Sequence, residues 1–127
     1  MKTIEQSYEM NASPEAVFEA FVNPEIVEEW SGSEATMSAE VGFAWSLWGG
    51  SIIGTNVEVV PNQKLVQDWK EEKWDKPSRV TFTLTANGKG TTVHLLHENI
   101  PDASANSIDG GWKEYYLGPM QALFALA

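Results

Sequence analysis

The sequence predicts an α+β fold in which a curved antiparallel β-sheet of about six to seven strands wraps around a long C-terminal α-helix. In the segment Ser104–Phe124, large apolar residues recur at steps of three and four, which is the spacing of one helix face. In the segment Ser31–Asn99, short β-type runs alternate with turn residues and no long helical period occurs. The turns are too short for helical crossovers, so we expect these strands to pair antiparallel.

The chain begins with a predicted strand and two short helices. Residues Ile4–Met10 alternate weakly between apolar and polar side chains, as a half-buried strand does. In Ser13–Glu15, a serine N-cap precedes a proline at the first helical position and an early acid. Asn23–Glu25 repeats this order with asparagine as the cap, so a second short helix follows at once.

Further strands are predicted between these helices and the terminal helix, separated by turns rich in glycine, proline and asparagine. They are Ala35–Ala39, Phe43–Leu47, Ile52–Val60, Leu65–Lys70, Arg79–Thr85 and Thr91–Glu98. The last two form the clearest pair, with one apolar face and one face turned to water. The apolar face sets Val80, Phe82 and Leu84 against Val93, Leu95 and His97.

The terminal helix has an apolar face that must lie on the sheet. Its members are Ile108, Trp112, Tyr115, Tyr116, Met120, Leu123 and Phe124. Gly110 and Gly111 lower the helix propensity, and Gly118–Pro119 removes a backbone donor and is predicted to bend the helix. Two compatible interpretations stay open. Either the helix kinks to follow a curved sheet, or the glycines leave room for another backbone or a bound molecule.

Length and composition limit the class of protein. The chain has 127 residues, which predicts one domain spanning residues 1–127. Eight Lys and Arg against eighteen Asp and Glu give a net charge of −10, which argues against nucleic acids and anionic membrane surfaces as partners. There is no cysteine, no signal-peptide core and no membrane-spanning run, so we expect a cytoplasmic protein. We expect it to be a monomer or a weak homodimer.

Aromatic residues are the first candidates for a binding site. Six tryptophans are many for this length, and Trp45, Trp69 and Trp112 fall on the inward sides of their elements. They either fill the core or line a cavity. Trp48 and Trp74 lie at loop margins, where they would guard an entrance or cover the ends of the sheet.

The polar candidates are few. His94 and His97 are three apart on one strand, so they point to opposite faces and cannot share a metal ion. His97 is either a satisfied core histidine or a ligand-binding or acid–base group, and Gln67 is the other inward polar side chain. Glu71–Glu72 is interpreted as solvated surface. Phosphate-binding and dinucleotide-binding glycine motifs are missing, so we expect neither a cofactor nor a metal.

Several segments together have a recognisable pattern. They are Ala12–Phe18, Pro24 with Trp30, Val57–Val66, Trp69, Val80–Leu84, Thr91–Leu95 and Gly110–Trp112. Across nearly the whole chain they resemble the family named after the activator of the heat-shock-protein-ninety ATPase. This resemblance implies the helix-grip fold of START-like, birch-pollen-allergen-like and polyketide-cyclase-like proteins. In that fold a cavity for an apolar ligand lies between the sheet and the terminal helix.

The expected cavity-lining residues are drawn from the inward faces of the strands and of the terminal helix. They are Trp45, Gln67, Trp69, Phe82, Leu95, His97, Trp112, Tyr115 and Tyr116. We expect them to bind a hydrophobic small molecule, and we expect no catalytic residue among them.

Three functions are compatible with these features. The first is a binding protein for an apolar or amphipathic small molecule. The alternative is a co-chaperone-like protein whose acidic surface meets a basic patch on a chaperone. In the eukaryotic co-chaperone, the resembling domain follows an amino-terminal domain that has no counterpart in these 127 residues, so we do not expect ATPase activation to transfer directly. The third is an enzyme of the cyclase or hydrolase type that uses His97.

Overall fold

Seven antiparallel strands form one sheet in the computed structural model, which describes residues 1–125. In chain order they are β1 (Lys2–Met10), β2 (Ala35–Thr36), β3 (Ala44–Leu47), β4 (Ile52–Val60), β5 (Lys64–Glu71), β6 (Ser78–Asn87) and β7 (Gly90–Ile100). Their order across the sheet is β1-β7-β6-β5-β4-β3-β2, so the first strand lies beside the last. The predicted fold, a curved antiparallel sheet around a terminal helix, is confirmed.

Two short helices follow β1, as predicted. They are α1 (Pro14–Val22) and α2 (Pro24–Ser31). The Ser13 hydroxyl accepts a hydrogen bond from the backbone N–H of Ala16 at 3.3 Å. The Asn23 side chain accepts one from the backbone N–H of Glu25 at 3.0 Å. Both caps satisfy donors that the first turn of a helix leaves free.

The predicted apolar face of β6 and β7 is confirmed. The register pairs Val80 with His97, Phe82 with Leu95 and Leu84 with Val93. All six side chains are buried in the core. His94 lies on the opposite face, where its Nε2 is 2.7 Å from a carboxylate oxygen of Glu5.

The strand predicted at Ala35–Ala39 is wrong in extent, because β2 contains only Ala35 and Thr36. The rest of the segment is held by a side chain instead of a strand ladder. The Asn56 side-chain amide donates to the carbonyl oxygen of Ser38 at 2.7 Å and to that of Glu40 at 2.9 Å. These bonds satisfy carbonyls that a longer strand would have paired.

The terminal helix contains a wide turn that the sequence analysis did not predict. It consists of α3 (Ala105–Gly111), a π-helical turn (Trp112–Tyr116) and α4 (Leu117–Ala125). Gly118–Pro119, where a bend was predicted, lies at the start of α4, directly after this π-helical turn. In a regular helix the ring of Pro119 would clash with the carbonyl four residues earlier. A Cβ built on Gly118 would overlap the carbonyl oxygen of Lys113. The π turn accommodates both residues.

The π turn also decides which aromatic residues are buried. The buried positions Ile108, Trp112, Tyr116 and Met120 follow one another at steps of four. The prediction that Tyr115 belongs to this buried face is wrong, because Tyr115 is 60% exposed. The extra residue in the turn rotates it away from the sheet.

Strand β1 holds the terminal helix near both of its ends. The Gln6 side-chain amide donates to the carboxylate of Asp109 at 2.9 Å and to the backbone carbonyl of Asp109 at 3.0 Å. The Gln121 side-chain amide donates to the backbone carbonyl of Glu9 at 2.9 Å. These bonds fix how the helix lies on the sheet.

Candidate functional site

A pocket of about 310 Å³ lies between the first half of the terminal helix and the end of the sheet. The helix contributes Ser107, Ile108, Gly111, Trp112, Tyr115 and Tyr116 to its wall. The sheet and the turn before β4 contribute Trp48, Ser51, Ile52, Trp69 and Glu71. This volume is at the lower end of the range of about 300–1,000 Å³ that is usual for small-molecule sites.

The aromatic rings of the wall are inclined to one another. The ring centroids of Trp112 and Tyr116 are 4.8 Å apart with an angle of 53°. Those of Trp69 and Trp112 are 5.7 Å apart at 34°, and those of Trp48 and Tyr116 are 6.3 Å apart at 74°. Such contacts hold large rings in fixed orientations. The wall is therefore formed before any ligand arrives.

A strained turn places Trp48 on the wall. The φ angles of Trp48, Gly49 and Gly50 are 49°, 67° and 91°. A non-glycine residue in this region costs about 1–3 kcal/mol unless its surroundings hold it there. The indole N–H of Trp48 donates to the backbone carbonyl of Ser31 at 3.3 Å, which ties the turn to the end of α2.

The nine predicted site residues separate into two groups. On the pocket wall are Trp69, Trp112, Tyr115 and Tyr116. In the packed interior and off the wall are Trp45, Gln67, Phe82, Leu95 and His97, each no more than 2% exposed. These five are packed among neighbouring side chains and do not line the pocket. Their role in ligand binding therefore stays a prediction.

His97 lies in a chain of hydrogen bonds that links the helix to three strands. The indole N–H of Trp112 donates to Nδ1 of His97 at 3.0 Å. Nε2 of His97 is 2.7 Å from the hydroxyl of Ser78. That hydroxyl donates to the backbone carbonyl of Trp69 at 2.6 Å, so it accepts from Nε2–H. The imidazole is therefore the neutral Nε2–H tautomer.

Both ring nitrogens of His97 are thus occupied. Burial lowers the pKa of His97 from 6.5 to about 3, because the charged form would lose its hydration. Protonation would also bring an Nδ1–H against the indole N–H of Trp112, which cannot accept. Both ring nitrogens have protein partners, as in a satisfied core histidine, and a ligand-binding role for His97 stays a prediction.

The other inward polar residue, Gln67, also has protein partners. Its side-chain amide donates to the side-chain oxygen of Asn56 at 2.9 Å, and Asn56 in turn holds the segment after β2. Burial raises the pKa of Tyr116 above its ordinary value, so its hydroxyl remains protonated. Trp69 is different, because its indole Nε1 is buried without a partner in residues 1–125.

Several wall residues were not among the predicted site residues, although three of them had been interpreted in other ways. Trp48 had been weighed as the guard of an entrance, and Gly111 as a source of space. Glu71 had been interpreted as solvated surface, but it is half-buried on the wall while Glu72 is exposed. Glu71 is the last residue of β5 and lines the pocket beside the terminal helix, and charge pattern alone cannot reveal that.

Neither a metal site nor a membrane-spanning helix is found in the described part of the chain. Within residues 1–125, no group of three or more His, Cys, Asp or Glu side chains is placed to hold a metal ion. The helices of this part are too short or too polar to cross a membrane.

The sheet, the gripped helix and the aromatic pocket together define a protein of the helix-grip class. The chain belongs to the family described as "Activator of Hsp90 ATPase homolog 1-like protein", whose model matches residues 11–125. This agrees with the resemblance found in the sequence.

Curated relatives are similar over nearly all of this chain. The activator of 90 kDa heat shock protein ATPase homolog of Dictyostelium discoideum is 33% identical over 127 residues, covering 98% of this chain and 33% of the relative. The human activator homolog 1 is 27% identical, covering 88% of this chain and 34% of the relative. The chain thus spans about a third of the length of these relatives.

Solved structures share the fold. An HSP90 activator from Plasmodium falciparum matches with a TM-score of 0.92 and 27% identity, covering 98% of this chain and 97% of that one. The solution structure of an Aha1 dimer from Colwellia psychrerythraea matches with a TM-score of 0.82 and 19% identity, covering 98% and 97% of the two chains. At that identity the second likeness concerns the fold alone.

Proposed function

We propose that this chain is a cytoplasmic protein that binds an apolar or amphipathic small molecule in the pocket beside the terminal helix. The observation that carries the proposal is the composition of the wall, where five of the eleven lining residues are aromatic. Small-molecule sites are typically concave, largely apolar and formed in advance, with a few polar groups that orient the ligand. Here Ser51, Ser107 and Glu71 supply polar groups.

The rigidity of the wall supports binding. The inclined contacts among Trp69, Trp112 and Tyr116 leave little side-chain entropy to lose when a ligand enters. The exposed ring of Tyr115 forms the outer part of the wall and offers apolar surface to an amphipathic molecule. The hydrogen bonds of His97 also favour binding over acid–base catalysis, because neither ring nitrogen is free to exchange a proton with a ligand.

Two neighbouring glycines allow a matched test. Gly111 lies on the pocket wall, and a Cβ built there meets only the Tyr115 ring, at 3.9 Å. Gly110 is off the wall, and a Cβ built there meets nothing within 4 Å. Gly111→Leu should therefore fill part of the pocket, whereas Gly110→Leu should leave it open. Each change should also raise helix stability by about 1 kcal/mol.

The measurement is the fluorescence of the neutral probe N-phenyl-1-naphthylamine titrated with the protein. We expect saturable 1:1 binding to the wild type and to Gly110→Leu, and a loss of at least about tenfold in affinity for Gly111→Leu, since the blocked volume removes apolar contact. Equal binding by both folded variants, or no binding by the wild type, would overturn the proposal.

The similarity to activators of the 90 kDa heat shock protein ATPase favours a second function, binding to the chaperone Hsp90. A groove beside α1 is the surface that we propose for this partner. Three carboxylates, Glu15, Glu19 and Glu25, line it together with Phe18 and other apolar residues. Lysine and arginine are absent from its lining residues. A basic segment of the chaperone would complement this charge.

A pull-down with purified Hsp90 at low and high salt tests this second function. The variant Glu15→Gln/Glu19→Gln/Glu25→Gln should bind several-fold less than the wild type at low salt, because the carboxylates are lost. A triple variant with the same charge change at exposed acids that do not line the groove, Glu34→Gln/Glu72→Gln/Glu114→Gln, is the control. Equal losses in both, or no binding by the wild type, would count against the groove.

A further inference from the structure

The pocket wall contains charge of one sign. Glu71, at the end of β5, is the single charged side chain among the eleven lining residues. It takes part in none of the ion pairs found within residues 1–125. Its side chain is half-buried, so its charge is less screened by water than that of an exposed acid. The wall therefore offers a ligand a negative charge and no positive one.

The aromatic rings of the wall also favour a positively charged ligand. The face of an aromatic ring attracts a cation within about 6 Å of its centroid, and tryptophan is the most effective of the three ring types. Three of the five rings are those of Trp48, Trp69 and Trp112. Because the rings are inclined by 34–74° in the contacts Trp69–Trp112, Trp112–Tyr116 and Trp48–Tyr116, they surround a volume instead of forming one flat stack.

The chemistry of the wall selects among cations. A compact ammonium ion is strongly hydrated and would have to lose water to enter an aromatic site. An alkylated ammonium group spreads its charge and buries its methyl groups against the rings. Its binding is therefore favoured both by apolar burial and by cation–π attraction. The net charge of −10 attracts cations over a longer range and repels anions.

We propose that the pocket binds small molecules that carry an alkylated, positively charged ammonium group, with Glu71 as the counter-ion and the aromatic rings around it. This inference rests on the proposed ligand-binding function and adds the charge and the head-group chemistry of the ligand. An anionic ligand of the same shape is disfavoured by Glu71 and by the overall charge.

The test compares two probes of nearly identical shape. Phenyltrimethylammonium is cationic, and tert-butylbenzene has a carbon in place of the nitrogen. Binding is followed by the indole N–H signals of the ¹⁵N-labelled protein, in which the signals of Trp48, Trp69 and Trp112 report on the pocket. We expect the cation to bind at least about tenfold more tightly than the neutral probe. The signals of Trp48, Trp69 and Trp112 should shift most.

Glu71→Gln isolates the counter-ion, with Glu72→Gln as the matched control on the exposed neighbour. Glu71→Gln should lower the affinity for the cation about fivefold and leave the affinity for tert-butylbenzene unchanged, since only the charge is removed. Glu72→Gln should change neither. If both carboxylate variants lower the affinity for the cation equally, the effect comes from net charge and the assignment of Glu71 as the counter-ion is wrong.

The outcomes separate this inference from the function on which it rests. If the two probes bind equally, or if only the neutral N-phenyl-1-naphthylamine binds, the charge preference is wrong and the binding function stands. If none of the three probes binds to folded protein, both are overturned. If the cation shifts only the indole signals of Trp30, Trp45 and Trp74, which do not line the pocket, the site is not this pocket.

Discussion

The indole N–H of Trp112 donates to Nδ1 of His97 across 3.0 Å, which joins the terminal helix to β7 inside the core. The two rings meet edge to face, with centroids 5.6 Å apart and an angle of 85°. Because an indole N–H cannot accept a hydrogen bond, this contact requires Nδ1 to remain unprotonated. The protonation state of one strand residue is thereby linked to the position of the helix that borders the pocket.

This link predicts a loss of stability in mild acid. The pKa of His97 is about 3 in the folded protein, compared with 6.5 for a histidine exposed to water, as in the unfolded chain. The unfolded chain therefore binds a proton between these values and the folded chain does not, so the free energy of unfolding falls as pH decreases below about 6.5. The slope is about 1.4 kcal/mol per pH unit, or about 2 kcal/mol between pH 7.5 and pH 5.

Urea denaturation of the wild type and His97→Gln at pH 7.5 and pH 5 measures the part of the free energy of unfolding that depends on the protonation of His97. The variant should be less stable at pH 7.5, because hydrogen bonds are lost, but its stability should fall by about 2 kcal/mol less on acidification. His94→Gln is the control, since His94 lies on the outer face beside Glu5. The same pH dependence in His97→Gln and the wild type would contradict a depressed pKa.

The wide turn of the terminal helix predicts opposite effects for two glycines. Gly118→Ala should destabilise by about 2–3 kcal/mol, because its Cβ would overlap the carbonyl oxygen of Lys113 and the backbone must shift. Gly110→Ala should stabilise by about 1 kcal/mol, because a Cβ there meets nothing within 4 Å and helix propensity rises. Thermal unfolding of both variants measures these changes in stability. Changes of the same sign in the two variants would show that the turn is not wide.

The side chain of Asn56 predicts a large cost for a nearly isosteric change. Asn56→Asp removes both hydrogen atoms that reach the carbonyls of Ser38 and Glu40 and places a carboxylate against those oxygens. We expect a loss of about 2–3 kcal/mol at neutral pH. Asn106→Asp, on an exposed helix position, should change stability by less than about 0.5 kcal/mol. If chemical denaturation finds the two variants equal, the segment after β2 is not held by Asn56.

Elements whose stability depends on local patterns were predictable from the sequence. The caps at Ser13 and Asn23 place α1 and α2 correctly, because they use donors only a few residues away. The strand predicted at Ile52–Val60 has the bounds of β4. Strict alternation likewise predicted the paired faces of β6 and β7, because a period of two fixes which side chains are inward.

Elements that depend on distant contacts were not predictable in the same way. The short length of β2 follows from Asn56, which is far from it in sequence. The outward position of Tyr115 follows from a π turn that accommodates Gly118 and Pro119, and helical spacing alone assigned Tyr115 to the buried face. The inclusion of Glu71 in the pocket wall likewise depends on where the end of β5 meets the helix.

The sequence by itself determined the family pattern, the order of strands and helices, and the apolar faces that must meet. Those features are set by periodicity and by residues close to one another along the chain. The tertiary structure alone decided that His97 is neutral and fully hydrogen-bonded, and that Trp48, Trp69 and Trp112 border one open volume. Contacts between residues far apart in sequence set both, and these contacts exist only once the helix lies on the sheet.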